Sequence, residues 1–183
     1  MALTDKLTAI ANAIRAKTGK TAKMTMTEMV TEIEGISGGG GDTSIEDSFV
    51  TRTVTEYTND RVTTVGTYAF YNCSSLTSAS FPLVMSIGSS AFYNCSKLTT
   101  VELPKATSIG SYVFQNCKSL KALVIRTPSS VCTLNGFALA STSIASGTGY
   151  IYVPDDLVDS YKAATNWSTY ADQIKPLSEY TGG

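Results

Sequence analysis

From residue 65 onward one pattern repeats three times, and that repetition restricts the fold more than any other feature of the chain. Aligned, the stretches read VGTYAFYNCSSLTSASFPLVMS, IGSSAFYNCSKLTTVELPKATS and IGSYVFQNCKSLKALVIRTPSS. Phe70, Phe92 and Phe114 are 22 residues apart, as are Cys73, Cys95 and Cys117, and Leu76, Leu98 and Leu120. A fixed period of this length marks a solenoid, in which each coil covers the core of its neighbour.

Each repeat reads as two extended segments and a tight turn. Leu98, Val101 and Leu103 are expected to point inward, with Thr99 and Glu102 outward. The equivalent inward sets are Leu76, Ala79 and Phe81, and Leu120, Leu123 and Ile125. Pro82 and Pro104 end their strands, because proline cannot donate to a ladder. Ile87 and Ile109 turn inward, each before a glycine, Gly88 or Gly110, expected to ease a bend. The pairs at 69–70, 91–92 and 113–114 plug the middle of each coil. The period runs upstream in weaker form through Val54, Tyr57 and Val62, so Phe49 to Thr64 is expected as a first, capping coil.

The three cysteines in register admit two readings. One is chemistry, through a thiol ladder, disulfides or a metal; the other is packing, with Cys as a small buried hydrophobe. Three cysteines one coil apart fit a four-ligand zinc site badly, and the chain has no histidine. Packing is the expectation, for Cys132 as well. Asn72, Asn94 and Asn116 are expected to bond the turn backbone. Without histidine no Ser-His-Asp or Cys-His arrangement exists. The expectation is a protein that is not an enzyme and carries no cofactor or metal.

The pattern IGxxAFxNCxxLxxVxLP, carried by Ile87, Gly88, Ala91, Phe92, Asn94, Cys95, Leu98, Val101, Leu103 and Pro104, resembles the BspA-type leucine-rich repeat. Such repeats occur in bacterial surface proteins and in proteins of their phages. The resemblance implies a right-handed solenoid, a role in adhesion or binding, and no catalytic residues. The third repeat departs from the pattern at Val113 and Arg126 and is expected to begin a C-terminal cap. In that cap, Phe137 and Ala138 sit in an NGFAL turn, Tyr150–Pro154 reads as a last strand, and Asp155 is positioned to cap a helix over about 156–165. The stretch from Tyr152 to Leu177 is similar to caps that end BspA-type arrays. Trp167 is expected in its core, with a ligand platform as the alternative.

Upstream, two apolar stripes read as short helices. Leu3, Leu7, Ile10 and Ile14 form the first, with Thr4 as its cap. Met26, Met29, Val30 and Ile33 form the second, opened by the Thr25/Glu28 capping box. They either pack on each other as a hairpin or meet other chains, and these eight residues are the candidate assembly contacts. The run Ser37-Gly38-Gly39-Gly40-Gly41-Asp42-Thr43-Ser44 reads as a flexible linker spanning roughly 15 Å, with a phosphate loop as the weaker alternative. The stretch from Leu3 to Met29 is similar to the mounting segment of tail or fibre proteins from phages of Gram-positive bacteria.

The expected architecture is thus a mainly β solenoid with a pair of short N-terminal α-helices and an α/β C-terminal cap. Residues 1–36 are the helical mount, 37–47 the linker, 48–130 the solenoid and 131–183 the cap. Net charge is -1 and 16% of residues are charged, which argues against nucleic acid and against a polybasic membrane contact. No apolar run approaches the ~20 residues of a membrane helix, and the first residues do not form a secretory signal.

Two functions follow as expectations. The first is a tail or fibre component in a virion, mounted through its helices on baseplate proteins or on copies of itself, with a homotrimer as one form. Its head would contact a bacterial surface glycan or protein. The second is a bacterial cell-surface or secreted adhesin. The candidate contact surface is Tyr68, Tyr71, Tyr93, Tyr112, Thr77, Thr99, Ser80 and Glu102, since Tyr, Ser and Thr suit sugar or protein contacts. The same exposed Ser and Thr also serve plain solubility.

Overall fold

A computed structural model describes residues 44–45, 55–127 and 129–182, with backbone alone for the first pair. The candidate helices, with Leu3, Leu7, Ile10, Ile14, Met26, Met29, Val30 and Ile33, lie outside the described residues, as does Val54. All described residues fall within one compact unit, Thr43–Gly183.

Short strands alternate between two parallel sheets. One contains β1 (Ser44–Ile45), β3 (Thr64–Val65), β5 (Ser86–Ile87), β7 (Ser108–Ile109) and β9 (Thr133–Leu134), hydrogen-bonded in that order. The other runs β2 (Glu56–Thr58), β4 (Ser78–Ser80), β6 (Thr100–Leu103), β8 (Ala122–Ile125), β10 (Tyr150–Val153) and β11 (Ile174–Pro176). As far as β10 the chain therefore coils, placing one strand in each sheet per rung, and β11 then adds a last strand to the second sheet alone. Ser78 pairs with Thr100, and Thr100 with Ala122. Glu56 pairs with Ser78, so the weak upstream repeat is a true rung.

The core is a set of columns. Phe70 and Phe92 stack with centroids 4.8 Å apart and planes at 4°, and Phe92 and Phe114 follow at 5.5 Å and 17°. Leu76, Leu98 and Leu120 are fully buried, as are Val101, Leu103, Leu123 and Ile125. Each such side chain contributes about 1.5–3 kcal/mol through burial. Tyr57, at an end of the stack, keeps an edge contact with Phe70 at 4.9 Å. Cys73, Cys95, Cys117 and Cys132 are buried and not joined in disulfides. Cys95 and Cys117 donate their S–H to the carbonyls of Phe70 and Phe92 one rung back, at 3.1 and 3.0 Å.

Several expectations need correction. Gly88 and Gly110 do not have positive φ; they are required by close approach. A Cβ on Gly88 would lie 2.5 Å from the Thr67 backbone nitrogen, and one on Gly110 2.8 Å from that of Ser89. Asn94 donates its side-chain amide to the Asn72 side-chain oxygen at 2.9 Å, so that pair forms a side-chain ladder and not a turn-backbone bond.

The boundaries also move. β1 falls within the expected linker at 37–47 and pairs with β3. The third repeat is an ordinary rung and not the start of a cap, because β8 pairs with β6 over four residues. The sheets continue past residue 131 through β9, β10 and β11. What changes there is rung length: Ser108 pairs with Thr133, and Ala122 with Tyr150.

The far end is closed by a 3-10 turn (Asp155–Leu157), helix α1 (Val158–Ala163) and a second 3-10 segment (Ser168–Gln173). Asp155 makes no cap bond to this helix. Its carboxylate instead accepts the Ser178 N–H at 3.1 Å and is held below its ordinary pKa by bonds to Ser178. Trp167 is fully buried, edge-on to Tyr161 at 5.2 Å. Its indole N–H donates to the Cys132 carbonyl at 2.6 Å, while the Cys132 N–H donates to the Tyr161 hydroxyl at 2.9 Å. These two bonds grip the chain just before β9 and satisfy buried polar groups that would otherwise be costly. Burial pushes both the Tyr161 hydroxyl and the Cys132 thiol up to about 12.

Candidate surface for ligand recognition

The eight candidate contact residues fall into two places. Tyr68, Tyr71, Tyr93 and Tyr112 lie on the turns that precede the six-stranded sheet. Thr77, Thr99, Ser80 and Glu102 lie in or beside that sheet.

The turns have a repeated geometry. Each contains two residues in the left-handed region, where a Cβ is strained. The first column is Tyr68, Ser90, Tyr112 and Phe137, with φ of 60°, 56°, 59° and 60°. The second is Asn72, Asn94, Asn116 and Ser141, with φ of 61°, 60°, 64° and 58°. Backbone bonds tie successive rungs: Tyr68 N–H to Ser89 O at 3.2 Å, Ser90 N–H to Ser111 O at 2.9 Å, and Tyr112 N–H to Gly136 O at 3.2 Å. The first-column positions are therefore stacked.

Rings gather on this edge. Tyr68 is 48% exposed, Tyr112 41% and Phe137 67%, whereas Ser90 between them is 9% exposed. Tyr71 and Tyr93 sit three residues on and stack at 5.0 Å with planes at 9°. Tyr68 meets Tyr71 edge to face at 5.5 Å, and Tyr112 stacks on Phe137 at 5.5 Å and 4°. Phe137 belongs to the same surface, although its sequence context marks it only as a turn residue. Its offset from Tyr112 departs from the 22-residue spacing, which hides the alignment.

Three of the four sheet-side residues, Thr77, Thr99 and Glu102, bond through their side chains to other parts of the chain. The Thr77 hydroxyl donates to Thr55 O at 2.8 Å and the Thr99 hydroxyl to Thr77 O at 3.1 Å, so both bind rung to rung. Ser80 and Glu102 are opposite one another in β4 and β6. Glu102 accepts the Tyr180 O–H at 3.3 Å and pairs with Arg126 at 3.5 Å. Arg126 also lies over the Tyr180 ring at 5.8 Å, and Tyr152 contacts that ring at 4.8 Å. Val124 lies in register between Glu102 and Tyr152 and is fully buried, so Tyr180 covers this part of the sheet. Nearby, Lys175 sits 4.5 Å over Tyr150 and pairs with Glu179 at 2.9 Å. Sequence reasoning missed this cluster, because Tyr180 and Glu102 are 78 residues apart.

The cysteine column offers little chemistry. The neighbouring Cys117 thiol, together with burial, pushes the Cys95 thiol well above its ordinary range, and a thiol that stays protonated is a poor nucleophile or ligand. Among the described residues, no group of three or more His, Cys, Asp or Glu could hold a metal ion. Among them too, no helix is long and apolar enough to cross a membrane.

The match to a family model agrees with this architecture. Residues 45–157 match the model of the BspA type leucine rich repeat region, with 6 copies. A solved leucine rich cell surface protein from Faecalibacterium prausnitzii A2-165 is similar at 25% identity with a TM-score of 0.48, over 71% of this chain and 33% of that one. The chain thus spans a third of that protein's length. A search of curated proteins returns no match. With more than half of its residues matched and its strands coiled in parallel, the chain belongs to the BspA-type leucine-rich repeat family.

Proposed function

We propose that this chain is a non-enzymatic recognition module displayed at a bacterial cell surface. Family membership over residues 45–157 is the observation that carries the reading. The geometry supports it: rigid rungs fix a row of exposed rings, and rigid rings lose little entropy on binding. Glu102 and the Thr77 and Thr99 hydroxyls act in this reading as structural groups.

A second reading is a tail or fibre component of a virion, mounted on baseplate proteins or on copies of itself, for example as a homotrimer. Its support is the resemblance of residues 3–29 to phage mounting segments. The family match begins at residue 45 and adds nothing to that segment.

The test is saturable binding of the dye-labelled full chain to intact cells. Binding to cultured epithelial cells supports an adhesin, and binding to Gram-positive bacteria supports a tail component. Non-saturable binding to both overturns the recognition reading. For the second reading, a chain lacking residues 1–36 is expected to fail to enter particles; incorporation of the truncated chain overturns the mount.

A further inference from the structure

The aromatic edge has a composition that narrows its ligand. We infer that Tyr68, Tyr71, Tyr93, Tyr112 and Phe137 form a binding ledge for a neutral polysaccharide chain lying along the solenoid axis. The inference rests on the recognition reading above and names its ligand class.

Three observations carry it. The first is strain. A left-handed residue with a Cβ costs about 1–3 kcal/mol, and such outliers concentrate at functional sites. Glycine and asparagine are the low-cost choices there, and the second column uses asparagine three times. The first column places Tyr, Tyr and Phe at the same φ and exposes all three. Their stability contribution does not account for that choice, because their rings are not in the core.

The second is layout. Ser90 replaces a ring in the first column and lies low, between the exposed Tyr68 and Tyr112. Two ring clusters, Tyr68/Tyr71/Tyr93 and Tyr112/Phe137, thus flank a hydroxyl-bearing floor. Four rungs at ~4.8 Å each give a ledge about 14 Å long between its outer rings, room for several consecutive sugars. Pyranose rings present flat C–H faces to aromatic rings and hydroxyls at their rims. The surrounding turns supply Ser74, Ser89, Ser96, Ser111 and Gln115 for those rims.

The third is charge and company. The turn stretches 66–75, 88–97, 110–119 and 135–142 contain two lysines, Lys97 and Lys118, and no acid. They also contain no arginine and no methionine, residues that protein interfaces enrich beside their aromatics. A ledge of rings and hydroxyls with almost no charge suits an uncharged glycan better than a protein or an anionic polymer.

The experiment is affinity electrophoresis of the full chain in native gels containing mannan, dextran or a soluble β-1,3-glucan, with heparin as the anionic comparison. Retardation by at least one neutral polysaccharide is expected, and it should persist when salt is raised, since no ion pair is involved. Tyr112→Asn with Phe137→Asn should weaken it by about tenfold or more, with the melting temperature measured on the same sample. Tyr71→Ala with Tyr93→Ala is the second variant, should the first fail to fold. Tyr150→Ala, on the sheet side, should bind as the unmodified chain does. No retardation in any neutral gel, retardation by heparin alone, or full retention by a folded ledge variant each overturns the ledge. Cell binding that survives in the ledge variants overturns the ledge and leaves the recognition reading standing. Absence of cell binding by the unmodified chain overturns that reading itself.

Discussion

Two columns of left-handed residues run up the same turns, and they are built on opposite principles. In the asparagine column, Asn72, Asn94 and Asn116 are the residue type best suited after glycine to positive φ, and Asn94 hydrogen-bonds Asn72 in the rung before. Local preference and global fold agree there, which is the signature of a position selected for folding. In the ring column, Tyr68, Tyr112 and Phe137 adopt the same backbone against their preference and expose their side chains. The same bend is present in both, so backbone need does not explain the rings. The difference separates what the turns require from what the rings add.

Four experiments put that contrast at risk. Leu98→Asp removes the floor beneath both columns at once; burying an unpaired charge costs several kcal/mol. Loss of the cooperative thermal transition is expected, and an unchanged melting temperature would contradict the inward assignment. Asn94→Ala attacks the asparagine column alone. Left-handed strain and the lost ladder bond together cost about 2 kcal/mol, read as a melting temperature lower by several degrees.

Tyr112→Asn attacks the ring column and should behave differently. Relief of strain offsets the lost stack on Phe137, which is worth about 0.5–1.5 kcal/mol, so stability changes by less than about 1 kcal/mol in chemical denaturation. A drop as large as that of Asn94→Ala would show that the rings are structural after all.

The smallest effect belongs to neither column. Asp155 has a folded pKa below its ordinary 3.8. Its contribution is present above 3.8 and is lost as pH falls through the lower folded value. A slight acid destabilisation below pH 3.8, absent in Asp155→Asn, is expected in melts run across that range. It serves as a control that perturbs the cap and spares the turns.

Much of this molecule is readable from residue spacing because each rung repeats the same environment. Phe92 and Leu98 recur in register, and their columns are continuous in the structure. The cysteines are readable as packing for the same reason. Other features depend on facts that spacing does not carry. Gly88 looks like a bend residue, but its reason is a neighbour's backbone that only the assembled rungs bring near. Nothing in the letters of Tyr68 reveals a positive φ, since the type disfavours it. Phe137 is hidden by a longer rung. The Tyr180–Glu102 contact joins parts of the chain with no shared pattern, and it engages a Glu102 carboxylate that the spacing presents as unpartnered. The candidate surface is therefore half legible: spacing finds the exposed rings of the turns, and it groups them with sheet-side residues that the fold places elsewhere.

The threonine bonds between rungs have a consequence for growth. Thr77 reaches back to Thr55, Thr99 to Thr77, and Thr107 to Met85, each across 22 residues. Every junction of this kind presents the same sockets above and below. A duplicated segment equal to residues 88–109 would meet a matching joint at either side, so the gene can lengthen the stack of rungs in steps of ~4.8 Å without redesigning the rungs that flank it. Reach becomes a countable trait, adjusted by copying DNA instead of by inventing a new fold.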